Sequence, residues 1–155
     1  MQTNSDNTPY IEAGTHTPEV YLKGLGFLTS STTQNYTLTA TQISPDSGSL
    51  GGNQLITITG TGFSPQAQVT IDSNDCNIQS VNNIQITCKT PANTSAASKQ
   101  VTITQGSLTN TDLSYTYDLS KTITITALSP SSASPVLKND LVITGTNFGT
   151  DSSLV

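Results

Sequence analysis

Few residues in this chain can carry chemistry. Its 155 residues contain one histidine, His16, two cysteines, Cys76 and Cys88, and ten carboxylates. His16 has Glu12 and Glu19 near it in sequence, but no nucleophile accompanies them. With a single imidazole, no Ser-His-Asp or Cys-His arrangement can be assembled, so no catalytic residue is expected. His16 is also remote in sequence from both cysteines, and no metal site or cofactor is expected. Asp72-Ser73-Asn74-Asp75 clusters oxygens closely enough to suggest Ca²⁺. It lacks the glycine and the distal bidentate glutamate of an EF-hand loop, so it reads as an Asx-rich turn. The two cysteines can bridge or remain as buried thiols. Asn35-Tyr36-Thr37 and Asn93-Thr94-Ser95 fit the N-glycosylation acceptor, whereas Asn74-Asp75-Cys76 has the rarer cysteine form and would compete with disulfide formation. Serine and threonine runs at 29–33 and 129–134 allow O-glycans, or are simply loops.

The elements that hold these residues are strands. The chain has 28 threonines and 20 serines, and only 10% of it is charged. Good helix formers are scarce and β-branched residues abundant. Leu55-Ile56-Thr57-Ile58-Thr59, Val69-Thr70-Ile71, Val101-Thr102-Ile103-Thr104 and Thr122-Ile123-Thr124-Ile125-Thr126 alternate aliphatic with hydroxyl residues. Each reads as a strand with an aliphatic core face and a threonine solvent face. Ile56, Ile58, Val69, Ile71, Ile86, Val101 and Ile103 are expected to point inward. Gly, Pro, Asn, Asp and Ser clusters separate the strands, which suggests a two-sheet sandwich.

The formal net charge is −5, and all five basic residues are lysines. Such a chain neutralises phosphates poorly, so neither nucleic acid nor an anionic membrane surface is an expected partner. No apolar run is long enough to span a bilayer, so no membrane insertion is expected in this segment. Residues 1–6 have neither a basic nor an apolar stretch, and no secretory leader is expected there.

An internal repeat organises the chain. Pro45 is followed by an apolar strand and Thr59-Gly60-Thr61-Gly62-Phe63. Pro130 is followed at the same offsets by Leu141-Val142-Ile143-Thr144-Gly145-Thr146-Asn147-Phe148, and Pro9 by Val20-Tyr21-Leu22-Lys23-Gly24-Leu25-Gly26-Phe27. Glycine or asparagine there supplies a positive φ as the strand leaves the sheet, and the phenylalanine folds back to plug the sandwich end. Pro45 and Pro130 are 85 residues apart, the size of one small sandwich, but Pro9 and Pro45 only 36. The expected organisation is a partial or divergent segment over 1–42, a complete module over 43–126 and the opening strands of another over 127–155.

The central segment resembles the IPT/TIG domain, an immunoglobulin-like module of plexin-type receptors and large surface proteins. The residues that carry the likeness are Ile43-Ser44-Pro45-Asp46-Ser47-Gly48-Ser49-Leu50-Gly51-Gly52, Ile56–Phe63, Val69-Thr70-Ile71, Cys76, Ile86-Thr87-Cys88-Lys89-Thr90-Pro91, Val101-Thr102-Ile103 and Leu113-Ser114-Tyr115-Thr116-Tyr117. The resemblance implies an all-β, immunoglobulin-like sandwich in tandem copies, used for interaction rather than catalysis. It also implies a Cys76–Cys88 disulfide, which suits an oxidising compartment. The basic loops through which some family members bind DNA have no counterpart here.

Together these readings lead us to expect a non-enzymatic structural protein, extracellular or at the cell surface, one repeat of a glycosylated array or fibril. Its expected partners are neighbouring modules or copies of itself joined head to tail, and glycans on Asn35 and Asn93. Strand pairing between chains would use Val20 and Leu22 on one side and Leu141 and Ile143 on the other. Two other readings are a fragment of a tandem-module adhesion or receptor ectodomain and an accessory carbohydrate-binding module.

Overall fold

The computed structural model describes residues 13–28, 31–132 and 140–148. The chain enters through β1 (Gly14–His16), β2 (Val20–Leu22), β3 (Gly26–Leu28) and β4 (Gln34–Tyr36). These are nested hairpins: β2 pairs with β3 inside, and β1 with β4 outside, both antiparallel. The arrangement differs from the one the Pro9 repeat suggests. Gly24 takes φ +91° and reverses the chain after Leu22, so Phe27 comes back alongside Tyr21. It is 70% exposed and plugs nothing.

The central sandwich comprises β5 (Thr39–Ser44), β6 (Ser47–Gly48), β7 (Leu55–Thr61), β8 (Gln68–Ile71), β9 (Asn74–Asp75), β10 (Asn77–Asn82), β11 (Gln85–Lys89), β12 (Ser98–Gln105) and β13 (Leu108–Tyr117). One sheet runs β10-β11-β7-β5 and the other β6-β13-β12-β8-β9. Only β6, against β13, is parallel to its neighbour within these two sheets. Ile56 and Ile58 from β7, Ile86 from β11, Val69 and Ile71 from β8, and Val101 and Ile103 from β12 all face inward and are buried. Burying each aliphatic side chain contributes roughly 1.5–3 kcal/mol. Phe63 closes one end, wholly buried. Gly60 is required beneath it, because a Cβ there would overlap the carbonyl oxygen of Thr39 and lie 2.6 Å from the Phe63 ring.

Tyr115 and Tyr117 complete the core, their rings edge to face at 5.1 Å. Both hydroxyls are satisfied: Tyr115 donates to Gln54 Oε1 at 2.9 Å and Tyr117 to the Pro91 carbonyl at 2.7 Å. The outer faces carry the threonines. Thr87 lies opposite Thr57, and its hydroxyl meets that of Ser80 at 2.6 Å.

After the sandwich come β14 (Thr124–Ser129) and β15 (Val142–Thr146), an antiparallel pair. This pair repeats β5 and β7 at a constant offset of 85. Thr39↔Thr61 becomes Thr124↔Thr146, and the register shift between Ala40 and Gln42 recurs between Ile125 and Ala127. The Thr39–Thr61 hydroxyl contact of 2.7 Å recurs as Thr124–Thr146 at 2.6 Å. Gly145 lies beneath Phe148 as Gly60 lies beneath Phe63. Both prolines of the repeat follow their first strand rather than open it, since proline has no N–H to continue a ladder. The strands therefore begin at Thr39 and Thr124, a few residues before the boundaries at 43 and 127 expected from the prolines.

Candidate functional site

The cysteines are joined, with S–S 2.16 Å and Cα–Cα 5.6 Å. Cys88 lies in β11 opposite Ile56. Cys76 precedes β10, and its N–H donates to the Val69 carbonyl of β8 at 2.8 Å. The bridge therefore ties one sheet to the edge of the other, rather than joining facing positions of a single ladder. The turn between β10 and β11 falls at Asn83-Ile84, closed by a bond from the Ile84 N–H to Asn82 Oδ1 at 3.0 Å.

Asp72-Ser73 forms the two-residue turn between β8 and β9, with φ of 53° and 65°. Positive φ at both positions matches the twist of a hairpin. Asp72 is committed to protein partners: Lys99 Nζ lies 2.8 Å from its Oδ2, and Asn93 Nδ2 donates to the same oxygen at 3.0 Å. These two contacts, Lys99 first, hold the Asp72 carboxyl below its ordinary range. Among the described residues, no group of three His, Cys, Asp or Glu is placed to hold a metal ion. Glu12 lies outside the described residues, Glu19 is exposed, and His16 packs edge-on against Tyr36 at 5.5 Å.

The two acceptor asparagines sit in different settings. Asn35 is exposed on β4, its Oδ1 accepting from Thr15 Oγ1 at 2.7 Å. Asn93 is half-buried, anchored by its N–H to the Leu50 carbonyl at 2.9 Å, while its Oδ1 accepts from the Ser95 N–H at 2.9 Å. Asn93 keeps one amide hydrogen of Nδ2 beyond the one given to Asp72.

The structure also leaves two apolar surfaces open. On β2–β3, Val20, Tyr21, Leu22, Leu25, Phe27 and Leu28 are all exposed, and Tyr21 and Phe27 stack at 5.2 Å. On β14–β15 and its flanks, Ile123, Ile125, Leu128, Leu141, Ile143 and Phe148 are exposed. Their equivalents in the sandwich show what such a face is built for: Ile58 is wholly buried, whereas Ile143 is 47% exposed. The alternation over 122–126 was expected to bury Ile123 and Ile125, and they form the inner face of a sheet whose opposing sheet is not among the described residues.

The profile of the IPT/TIG domain matches residues 38–117, which span the sandwich from the residue before β5 to the end of β13. The chain belongs to the IPT/TIG family. Human (Homo sapiens) Fibrocystin-L is 34% identical to it over 155 residues, covering 96% of this chain and 4% of that protein. Mouse (Mus musculus) Fibrocystin-L is 35% identical over 107 residues, covering 69% of this chain and 2% of that protein. This IPT/TIG chain thus corresponds to a small fraction of the relatives that it matches. Among solved structures, the extracellular region of plexin A4 superposes with a TM-score of 0.53 at 23% identity, over 75% of this chain and 10% of that one. That likeness is one of fold.

Two core features went unread in the sequence. The inward set omitted Tyr115 and Tyr117, although both stand in an alternating Tyr-Thr-Tyr run. Gln105 was also missed. It is buried, and its Nε2 donates to the Gly62 carbonyl at 3.2 Å. Gln105 continues the inward alternation of Val101 and Ile103, but a polar side chain at that place does not read as core.

Proposed function

We propose that this chain is a stretch of tandem IPT/TIG modules from the extracellular part of a surface protein, working as a non-enzymatic structural and interaction element. The observation that carries this reading is the opening hairpin at Thr124–Thr146, which repeats that of Thr39–Thr61 ladder for ladder. Similarity to Fibrocystin-L along almost the whole chain supports it, as does a buried disulfide suited to an oxidising compartment. An antibody against the sandwich tests the reading on intact cells that express the native protein. Binding without permeabilisation is expected, and binding only after permeabilisation overturns it.

In finer detail, the proposed element is glycosylated on Asn35 and Asn93 and joins like elements through its open faces. Val20 and Leu22 lie on one two-stranded ladder; Ile143 lies on another, with Leu141 just before it. Among the described residues neither ladder pairs with a further strand, and their apolar side chains are exposed. Strand addition between the two in different chains is heterologous, and repetition of such a contact builds a filament. Sedimentation of the full chain beside one lacking 124–155 tests this contact. Concentration-dependent assembly should be lost in the truncated chain; assembly unchanged by the truncation refutes it.

A further inference from the structure

The connection between the sandwich and the second hairpin is Asp118-Leu119-Ser120-Lys121-Thr122, with neither glycine nor proline. It folds into a single 3₁₀ turn over Leu119–Lys121. Asp118 caps that turn, its Oδ1 accepting from the Ser120 N–H at 2.8 Å. The turn is tied back to the sandwich at three places. The Asp118 N–H donates to the Gly48 carbonyl at 2.8 Å, Lys121 Nζ donates to Ser47 Oγ at 2.7 Å, and the Leu50 N–H donates to Thr122 Oγ1 at 3.0 Å. Thr122 Oγ1 donates in turn to the Asp118 carbonyl at 2.8 Å. On the other side, Asn147 Nδ2, from the second hairpin, donates to the Thr122 carbonyl at 2.8 Å.

Asn147 stands where the sandwich has Gly62, and both adopt positive φ, 61° and 80°. At the first position a side chain has no room: a Cβ on Gly62 would lie 2.7 Å from the Thr37 carbonyl oxygen and 2.8 Å from Ala13 Cβ. Thr37 is the counterpart of Thr122 at the same offset of 85. At the second position the same turn admits an asparagine, whose amide reaches the equivalent carbonyl.

We infer that Thr122 is the centre of a rigid inter-module clamp, which fixes the second hairpin to the sandwich through its side-chain hydroxyl on one side and its carbonyl on the other. The inference deepens the tandem-module reading: successive modules are held at one angle, as a stiff rod rather than beads on a flexible string. The hydroxyl is held between the Leu50 amide and the Asp118 carbonyl, so valine, of the same shape, removes both bonds without creating a cavity. Replacing Asn147 with glycine removes the forward bond and keeps the backbone conformation.

Residual dipolar couplings and amide exchange on the ¹⁵N-labelled full chain test this clamp. In the wild type, N–H vectors of 39–117 and of the second hairpin should fit one alignment tensor. Thr122→Val and Asn147→Gly should each divide them into two, and Thr122→Ser should preserve one. The Leu50 amide should exchange at least tenfold faster in Thr122→Val, with Ile58 unchanged. Two tensors in the wild type, or no change in either variant, overturns the clamp. The surface-labelling result does not depend on this junction, so failure of the clamp and failure of the proposed function are distinguishable.

Discussion

Phe63 and Phe148 are the same residue at the same place in two copies of one hairpin, yet Phe63 is wholly buried and Phe148 is 49% exposed. Replacing each with alanine separates position from burial. For Phe63 the cost is that of a core phenylalanine, roughly 3–5 kcal/mol, because transfer and cavity terms add. The backbone at Gly60 packs directly against Thr39 and the ring and is fixed in the β5–β7 ladder, so the space left by the ring cannot readily collapse. At Phe148 half the ring is already in water and no enclosed cavity can form, so the expected cost is below about 1.5 kcal/mol. The assay is urea unfolding followed by far-UV circular dichroism and tyrosine fluorescence, with Phe63→Leu included in case Phe63→Ala does not fold. Phe63→Leu should lower stability by about 1–2 kcal/mol. A Phe63→Ala cost below about 1 kcal/mol, or equal costs at the two positions, refutes the assignment of Phe63 as the end plug of a closed core.

Three further expectations follow from individual contacts. Non-reducing peptide mapping of native protein should recover Cys76 and Cys88 as one linked pair. Replacing both with alanine should cost about 3 kcal/mol, since the bridge closes a separation of 12 residues. Burial pushes the Tyr117 phenol up to about 12, chiefly by desolvation and then by the neighbouring Tyr115. A raised folded-state value means that this contribution to stability is complete below the unfolded value near 10 and is lost as pH rises through 12. Ultraviolet titration should show a tyrosine that ionises late, together with alkaline unfolding in that window. Intact glycopeptide analysis of protein from a eukaryotic secretory source should find glycan on Asn35, exposed on β4, and on Asn93, where one amide hydrogen remains; bare asparagines at both positions would refute this.

What the sequence disclosed, and what it concealed, follows from the range of the interactions. Alternation is a local signal, so Ile56, Ile58, Val69 and Ile103 declared their inward faces, and the 85-residue spacing of the Gly-Phe motif marked the second hairpin. The same alternation cannot say whether an opposing sheet is present. Ile123 and Ile125 alternate like core residues yet lie exposed, because burial is a property of two sheets. The Val20–Phe27 match failed for a related reason. Its glycines keep the spacing of the repeat, but at Gly24 the chain takes positive φ where Gly60 stays in the strand, and one dihedral turns a strand into a hairpin. The bonds that join Thr122 to Leu50 and Asn147, Gln105 to Gly62 and Asn93 to Asp72 each span 21 or more positions, which no local pattern announces.

The tandem account stands or falls on whether the second hairpin has the architecture of the first. Cross-strand nuclear Overhauser effects in the ¹⁵N,¹³C-labelled chain test this directly. The account predicts one pattern twice, Gln42 with Thr59 and Ile43 with Ile58, then Ala127 with Thr144 and Leu128 with Ile143, each set beside the same register shift. A different register over 124–146, or no cross-strand effects there, would contradict it.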